Sequence, residues 1–199
     1  MKILLASDAW RPQVNGVVRT LSAVTEELAA MGHRVITVTP DRFSNFPCPT
    51  YPEIRLAITG PGKLGQYLDR ENPDRVHIAT EGPIGWGMQR ACIKRKIPFS
   101  TSFHTKFPEY IHARCRLPVS ISYATVRRFH NAAGSTMVAT KTLMEELDRR
   151  GFRNLRIWGR GVDTELFKPG DKSLIDVLRP ALLYVGRVAV EKIFRPFLI

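Results

Sequence analysis

Three short stretches carry residue types that could do chemistry. Residues 101–105 (TSFHT) contain His104 at the end of a polar run. A histidine placed there can give or take a proton near neutral pH, although a lone histidine also reads as a structural one. Residues 11–19 (RPQVNGVVR) set Asn15-Gly16 ahead of an amphipathic segment. Glycine lets the backbone approach a ligand at a helix N-terminus, where an anion is well held; the same spacing also suits a plain turn. Arg187 and Lys192 follow the apolar run 181–185 (ALLYV). Cations there could clamp a diphosphate, and on charge alone they also read as surface residues.

A fourth stretch looks chemical and is not. Residues 60–65 (GPGKLG) match G-x-G-x-x-G letter for letter, with Glu81 about the right distance beyond. A dinucleotide fingerprint belongs after the first strand of its sheet. This run follows the third expected strand in a proline-rich stretch, so it reads as a turn before a short helix. A nicotinamide enzyme is not expected.

These residues need a scaffold to hold them. Residues 2–7 (KILLAS) form the short apolar run of a buried parallel strand. Leu21, Val24, Leu28 and Met31 recur at spacings of three and four, one face of a helix, and Gly32 sits where a left-handed cap is expected. Residues 35–39 (VITVT) read as a strand stopped by Pro40, and residues 41–53 as irregular. Further strands are expected at 54–58, 75–79, 98–103, 136–139 and 155–158. Helices are expected at 64–69, 84–95 and 120–131. A last helix follows the capping-box spacing of Thr142 and Glu145, and Gly151 ends it. Alternation with short connections means an α/β chain with a doubly wound parallel sheet. Ligands bind such sheets at the carboxyl ends of the strands. That edge gathers Asp8, Pro40, Gly60, Glu81, His104, Thr140 and Gly186-Arg187. Residues 1–170 then form one domain, 171–180 a linker, and 181–199 the start of a second.

Bulk properties narrow the function. The 199 residues are 44% hydrophobic and 24% charged, enough to bury the core of one α/β domain. Three scattered cysteines show no metal-ligand spacing, so reduced thiols in a cytoplasmic protein are expected. No run reaches the ~18 apolar residues of a membrane span, and the N-terminal apolar run meets Asp8 too early for a signal peptide. The net charge of +12 would suit anionic partners, an anionic membrane among them, and also reads as a merely solvated basic face. Nucleic acid is not expected, because the basic residues are dispersed, lack interleaved aromatics and match no binding signature.

Taken together, the chain resembles the retaining glycosyltransferases of family 4, which have the two-Rossmann-domain GT-B fold. The matching stretches are residues 12–20 (PQVNGVVRT), 27–40 (ELAAMGHRVITVTP), 77–87 (HIATEGPIGWG), 102–105 (SFHT), Gly161-Val162-Asp163 with Phe167, and 184–192 (YVGRVAVEK). Each is weak alone; their order and spacing are specific. Residues 158–167 (WGRGVDTELF) are similar to members that transfer mannose from GDP-mannose or sulfoquinovose from UDP-sulfoquinovose, often to lipids. The resemblance implies that Gly16 lies against the donor phosphates and His104 contacts the donor sugar near the reacting carbon. Arg187 and Lys192 would neutralise the departing nucleotide diphosphate. The acceptor pocket is assigned by position alone to Glu81, Lys106 and Tyr110. No metal or other cofactor is implied, the nucleotide sugar (GDP-mannose or a UDP-sugar) being a co-substrate.

The sequence leaves the family pattern after Glu191-Lys192, where Pro196 interrupts the first helix expected of a second domain. A frameshifted or truncated reading frame near residue 193 is expected from this, along with impaired transfer by the 199 residues alone. The competing expectation is a non-catalytic domain that binds an acceptor, a partner or an anionic membrane. A cytoplasmic location with peripheral contact at the inner membrane face fits either, since basic charge attracts anionic lipid.

Overall fold

The computed structural model describes residues 1–48 and 51–170. Strand β1 (Lys2–Ala6) runs into helix α1 (Gly16–Ala30), and β2 (Arg34–Val38) returns beside β1. After a 3-10 turn (Pro40–Arg42) come β3 (Asn45–Cys48), β4 (Tyr51–Ala57), α2 (Pro61–Glu71), β5 (Arg75–Ile78) and α3 (Pro83–Arg95). The chain continues through β6 (Ser100–Phe103), α4 (Phe107–Cys115), α5 (Val119–Asn131), β7 (Ser135–Val138), α6 (Lys141–Arg149) and β8 (Leu155–Ile157). Six strands form one sheet in the order β2-β1-β5-β6-β7-β8, every pair parallel. The α/β parallel architecture expected from the alternating pattern is present.

Side-chain alternation divides the sheet into two unlike faces. Register places Leu4 beside Val76, Ala6 beside Ile78, and Phe103 beside Val138 on one face. Leu64, Leu68, Ile84, Met88 and Phe129 from α2, α3 and α5 cover it, and Leu147 of α6 joins them under Phe103. Each such fully buried side chain contributes roughly 1.5–3 kcal/mol relative to exposure. The opposite face carries Ile3, Leu5, Val35, His77, Ser100 and Met137. Val17 and Leu21 of α1 cover Leu5 and Val35. Beyond α1 no described residue covers this face, and a concavity of about 800 Å³ lies on it, lined by Val24 and Leu28 together with His77, Met137 and Trp158. Because α1 leaves β1 toward one face and α3 leaves β5 toward the other, the connections diverge between these two strands. A crevice at the strands' carboxyl ends follows from that divergence.

Four local expectations are corrected. The strand expected at 54–58 is β4, and it does not join the parallel sheet: it pairs antiparallel with β3, from Asn45↔Ala57 to Pro47↔Arg55. The described residues of the stretch 41–53 are therefore a turn and a ribbon; Pro47 and Pro52 are tolerated because both strands of a two-stranded ribbon are edges. Helix α4 was not expected. Its Pro108 lies in the first turn, where no intrahelical N–H is needed. The last helix is capped two residues earlier than expected, by Thr140, whose Oγ1 accepts from Leu143 N at 3.2 Å. Gly32 and Gly151 do adopt the left-handed conformation, at φ 79° and 80°.

Candidate functional site

Helix α1 begins at the crevice with its first turn already capped. Asn15 Oδ1 accepts from Val17 N at 3.0 Å and Val18 N at 2.9 Å, filling two of the donors an anion would otherwise use. Gly16 follows, and a Cβ built on it would lie 3.8 Å from the Arg160 guanidinium. The other arm of Arg160 reaches His104 Nδ1 at 3.5 Å. Gly16 and His104, 88 positions apart by number, thus meet at one exposed cation. Arg160 was not singled out from the sequence as a site residue. Its signal was present: it stands between Gly159 and Gly161 just past β8, at the same sheet edge as the residues that were. The loop carrying it folds back on α1. Asp163 Oδ1 accepts from Glu165 N and Leu166 N, and Phe167 lies 5.5 Å beneath the Arg19 guanidinium.

His104 itself is neutral over the physiological range. Burial, with Arg160 and His130 nearby, pushes its pKa down to about 4. Its Nε2 is buried and has no hydrogen-bond partner among the described residues. The Trp158 ring packs against it at 5.9 Å. On the same face His77 spans two hydroxyls, Nδ1 to Ser100 Oγ and Nε2 to Ser102 Oγ, each at 2.8 Å. Burial and then the neighbouring His104 bring the His77 pKa to about 3. Trp158 meets His77 edge-on at 6.1 Å, so one indole touches both imidazoles.

Other residues expected along the edge are engaged elsewhere. Asp8, 5% exposed, caps α3 from across the sheet: its carboxylate accepts from Ile84 N at 2.8 Å, Gly85 N at 3.2 Å and Thr80 Oγ1 at 2.9 Å. Burial raises its pKa to about 6 despite these bonds. Glu81 Oε1 binds His130 Nε2 at 2.9 Å, and His130 Nδ1 meets Thr101 Oγ1 at 2.9 Å. This chain ties the loop after β5 to α5 and β6. Lys106 pairs with Glu146, which Arg150 also meets at 3.3 Å; the Lys106 bond holds the Glu146 carboxyl below its usual range. Tyr110 lies half-buried on α4. Gly60 caps α2 with Pro61 in its first turn, the plain turn expected of residues 60–65. Arg187, Lys192 and residues 181–185 lie outside the described residues.

The edge therefore offers an exposed guanidinium, a neutral imidazole with an unpaired nitrogen, and a helix N-terminus. Among the described residues no group of three or more His, Cys, Asp or Glu is placed to hold a metal ion. Such an edge suits polar and anionic ligands bound by hydrogen bonds. The fold is similar to that of a solved UDP-GlcNAc 2-epimerase from Methanocaldococcus jannaschii, with TM-score 0.52 and 15% identity over 80% of this chain and 46% of that one. In sequence the chain is 25% identical to a GDP-mannose-dependent alpha-mannosyltransferase of Mycobacterium tuberculosis, over 96% of this chain and 57% of the relative. It is 29% identical to the sulfoquinovosyl transferase SQD2 of Arabidopsis thaliana, over 83% of this chain and 37% of the relative. The chain thus spans about half the length, or less, of these relatives. Residues 14–166, which run from the α1 cap through the Arg160 loop, match Glycosyltransferase Family 4, and the chain belongs to that family.

Proposed function

We propose that this chain supplies the acceptor-side half of a retaining hexosyltransferase, which moves mannose from GDP-mannose to a lipid or glycan acceptor. The family match carries the reading, because it covers the sheet edge at which Gly16 and His104 meet. In this reading the donor phosphates lie against Gly16 and the N-terminus of α1, where backbone dipoles favour negative charge. His104 contacts the donor sugar. Arg187 and Lys192 neutralise the nucleoside diphosphate as it departs, which stabilises charge that develops only in the transition state. Glu81, Lys106 and Tyr110 border the acceptor. Their ties to His130 and Glu146 make Glu81 and Lys106 positioned groups, and ligand binding must compete with those bonds. A UDP-sugar is the alternative donor. The net charge of +12 supports an acceptor at an anionic membrane surface; no helix among the described residues is long and apolar enough to cross one.

The test is a calorimetric titration with GDP-mannose and UDP-glucose, alongside an assay for released nucleoside diphosphate. Saturable affinity that weakens in His104→Ala and Gly16→Val supports the donor site. Release of GDP reports transfer, whereas affinity without release favours the binding-domain reading. Absence of saturable affinity for either donor overturns the proposal. NMR of the product's anomeric proton settles retention.

A further inference from the structure

The unpaired Nε2 of His104 asks for an explanation, since buried polar atoms without partners are rare. The other side of the same ring supplies it. A guanidinium carries only donors and is not deprotonated in proteins. Arg160 Nη2 at 3.5 Å from Nδ1 therefore faces that nitrogen's lone pair, and a neutral imidazole that accepts at Nδ1 carries its proton on Nε2. Nε2 is buried and unpartnered, so its N–H finds no acceptor among the described residues.

We propose that Arg160 is a positioning residue for His104, fixing it as the Nε2–H tautomer so that it meets a bound ligand as a hydrogen-bond donor and not as a base. The acceptor is a ligand oxygen, and a sugar hydroxyl fits the available chemistry. Only that last assignment rests on the donor-site reading; the tautomer is a property of the chain alone. Three observations converge. Arg160 also borders Gly16, so the cation that orients the ring stands where the donor phosphates are proposed to lie. Trp158 packs against the ring at 5.9 Å and supports its orientation. Burial most of all disfavours a cationic His104 ring, followed by the charges of Arg160 from the loop after β8 and His130 from α5, while His104 in turn disfavours a cationic His77 of β5.

The test is ¹⁵N NMR of the full chain labelled at histidine, for the unmodified protein, Arg160→Met and Arg160→Lys, with His104→Gln to assign the signals. Arg160 is exposed, and an unchanged backbone amide spectrum away from the loop verifies folding of each variant. At pH 7 the unmodified chain should show an unprotonated Nδ1 and a protonated Nε2. Arg160→Met should turn that single tautomer into a mixture and raise the titration midpoint from about 4 toward the ordinary 6.5. Arg160→Lys should restore the low midpoint by returning the charge. A proton on Nδ1 in the unmodified chain overturns the inference, as does an Arg160→Met spectrum with tautomer and midpoint unchanged. No nucleotide is present, so this result stands apart from the donor titration.

Discussion

Gly82→Ala tests the capping of α3 by Asp8. Gly82 is the N-cap of that helix, at φ −81°, so alanine brings no backbone strain. The difficulty is space: a Cβ there would fall inside van der Waals contact of the Asp8 carboxyl carbon, with both oxygens at 2.7 Å. The carboxylate cannot step aside without releasing Ile84 N, Gly85 N and Thr80 Oγ1. Overpacking of this kind costs about 1–3 kcal/mol, and loss of one hydrogen bond to a charged group adds about 1.5–3 kcal/mol. A destabilisation of about 3–4 kcal/mol is expected, read as a lower urea midpoint at unchanged slope. The decisive measurement is a double-mutant cycle with Asp8→Ala. That variant alone is destabilised because it leaves two amides unpaired, but it empties the space the new methyl needs. Gly82→Ala should then cost less than ~1 kcal/mol in the Asp8→Ala background, a coupling of about 2–3 kcal/mol. Additive losses would refute the clash, and a Gly82→Ala protein of unmodified stability would refute the capping geometry.

The pH dependence of stability should show opposing contributions. His77 and His104, at about 3 and about 4 when folded, contribute stability fully present above the unfolded value of ~6.5 and lost as pH falls toward those values. Asp8, raised to about 6, acts oppositely: its contribution is present below ~3.8 and lost as pH rises toward 6. Between pH 6 and pH 4 the two histidines outweigh the aspartate, for a net loss of ~1.4 kcal/mol per pH unit of acidification. Asp8→Asn should steepen this to ~2.7 kcal/mol per unit in urea melts at pH 6, 5 and 4, and a shallower profile would contradict the assignment. Gly85→Ala meets the Thr80 carbonyl backbone whereas Gly65→Ala meets only the movable end of Arg95; thermal melts should show the first much the worse. Asn15→Ala should cost ~1 kcal/mol through loss of the α1 cap, checked by the same melts.

How much of this was legible in the sequence depended on the range of the interaction. The strand at residues 2–7 and the face Leu21-Val24-Leu28 were readable because burial imposes its period on a single segment. Gly32 and Gly151 were readable because a left-handed residue has a local signature. The β3–β4 ribbon was hidden, since three prolines within 47–52 argue against pairing until the ribbon is known to have only edges. Helix α4 was hidden by Pro108, which marks a break unless the first turn is already placed. At the site, His104 and Gly16 were marked by their neighbours in sequence, while Asp8 capping α3 joins residues 76 positions apart. Glu81 looked like a bare carboxylate until His130, 49 positions on, was seen to hold it. Pairings of that range leave no periodic trace in one sequence.

The half of the sheet that no described helix covers changes what Trp158 means. Parallel sheets ordinarily have both faces covered, and here no described helix covers the side to which β6 and β7 turn Ser100, Ser102, Ser135 and Met137. Trp158 lines the concavity there and packs against His104 at the sheet's edge. It is therefore a wall shared by the concavity and the imidazole. Anything seated in the concavity against that wall would bear on the imidazole through one rigid ring, and trimming the ring to alanine would remove that contact.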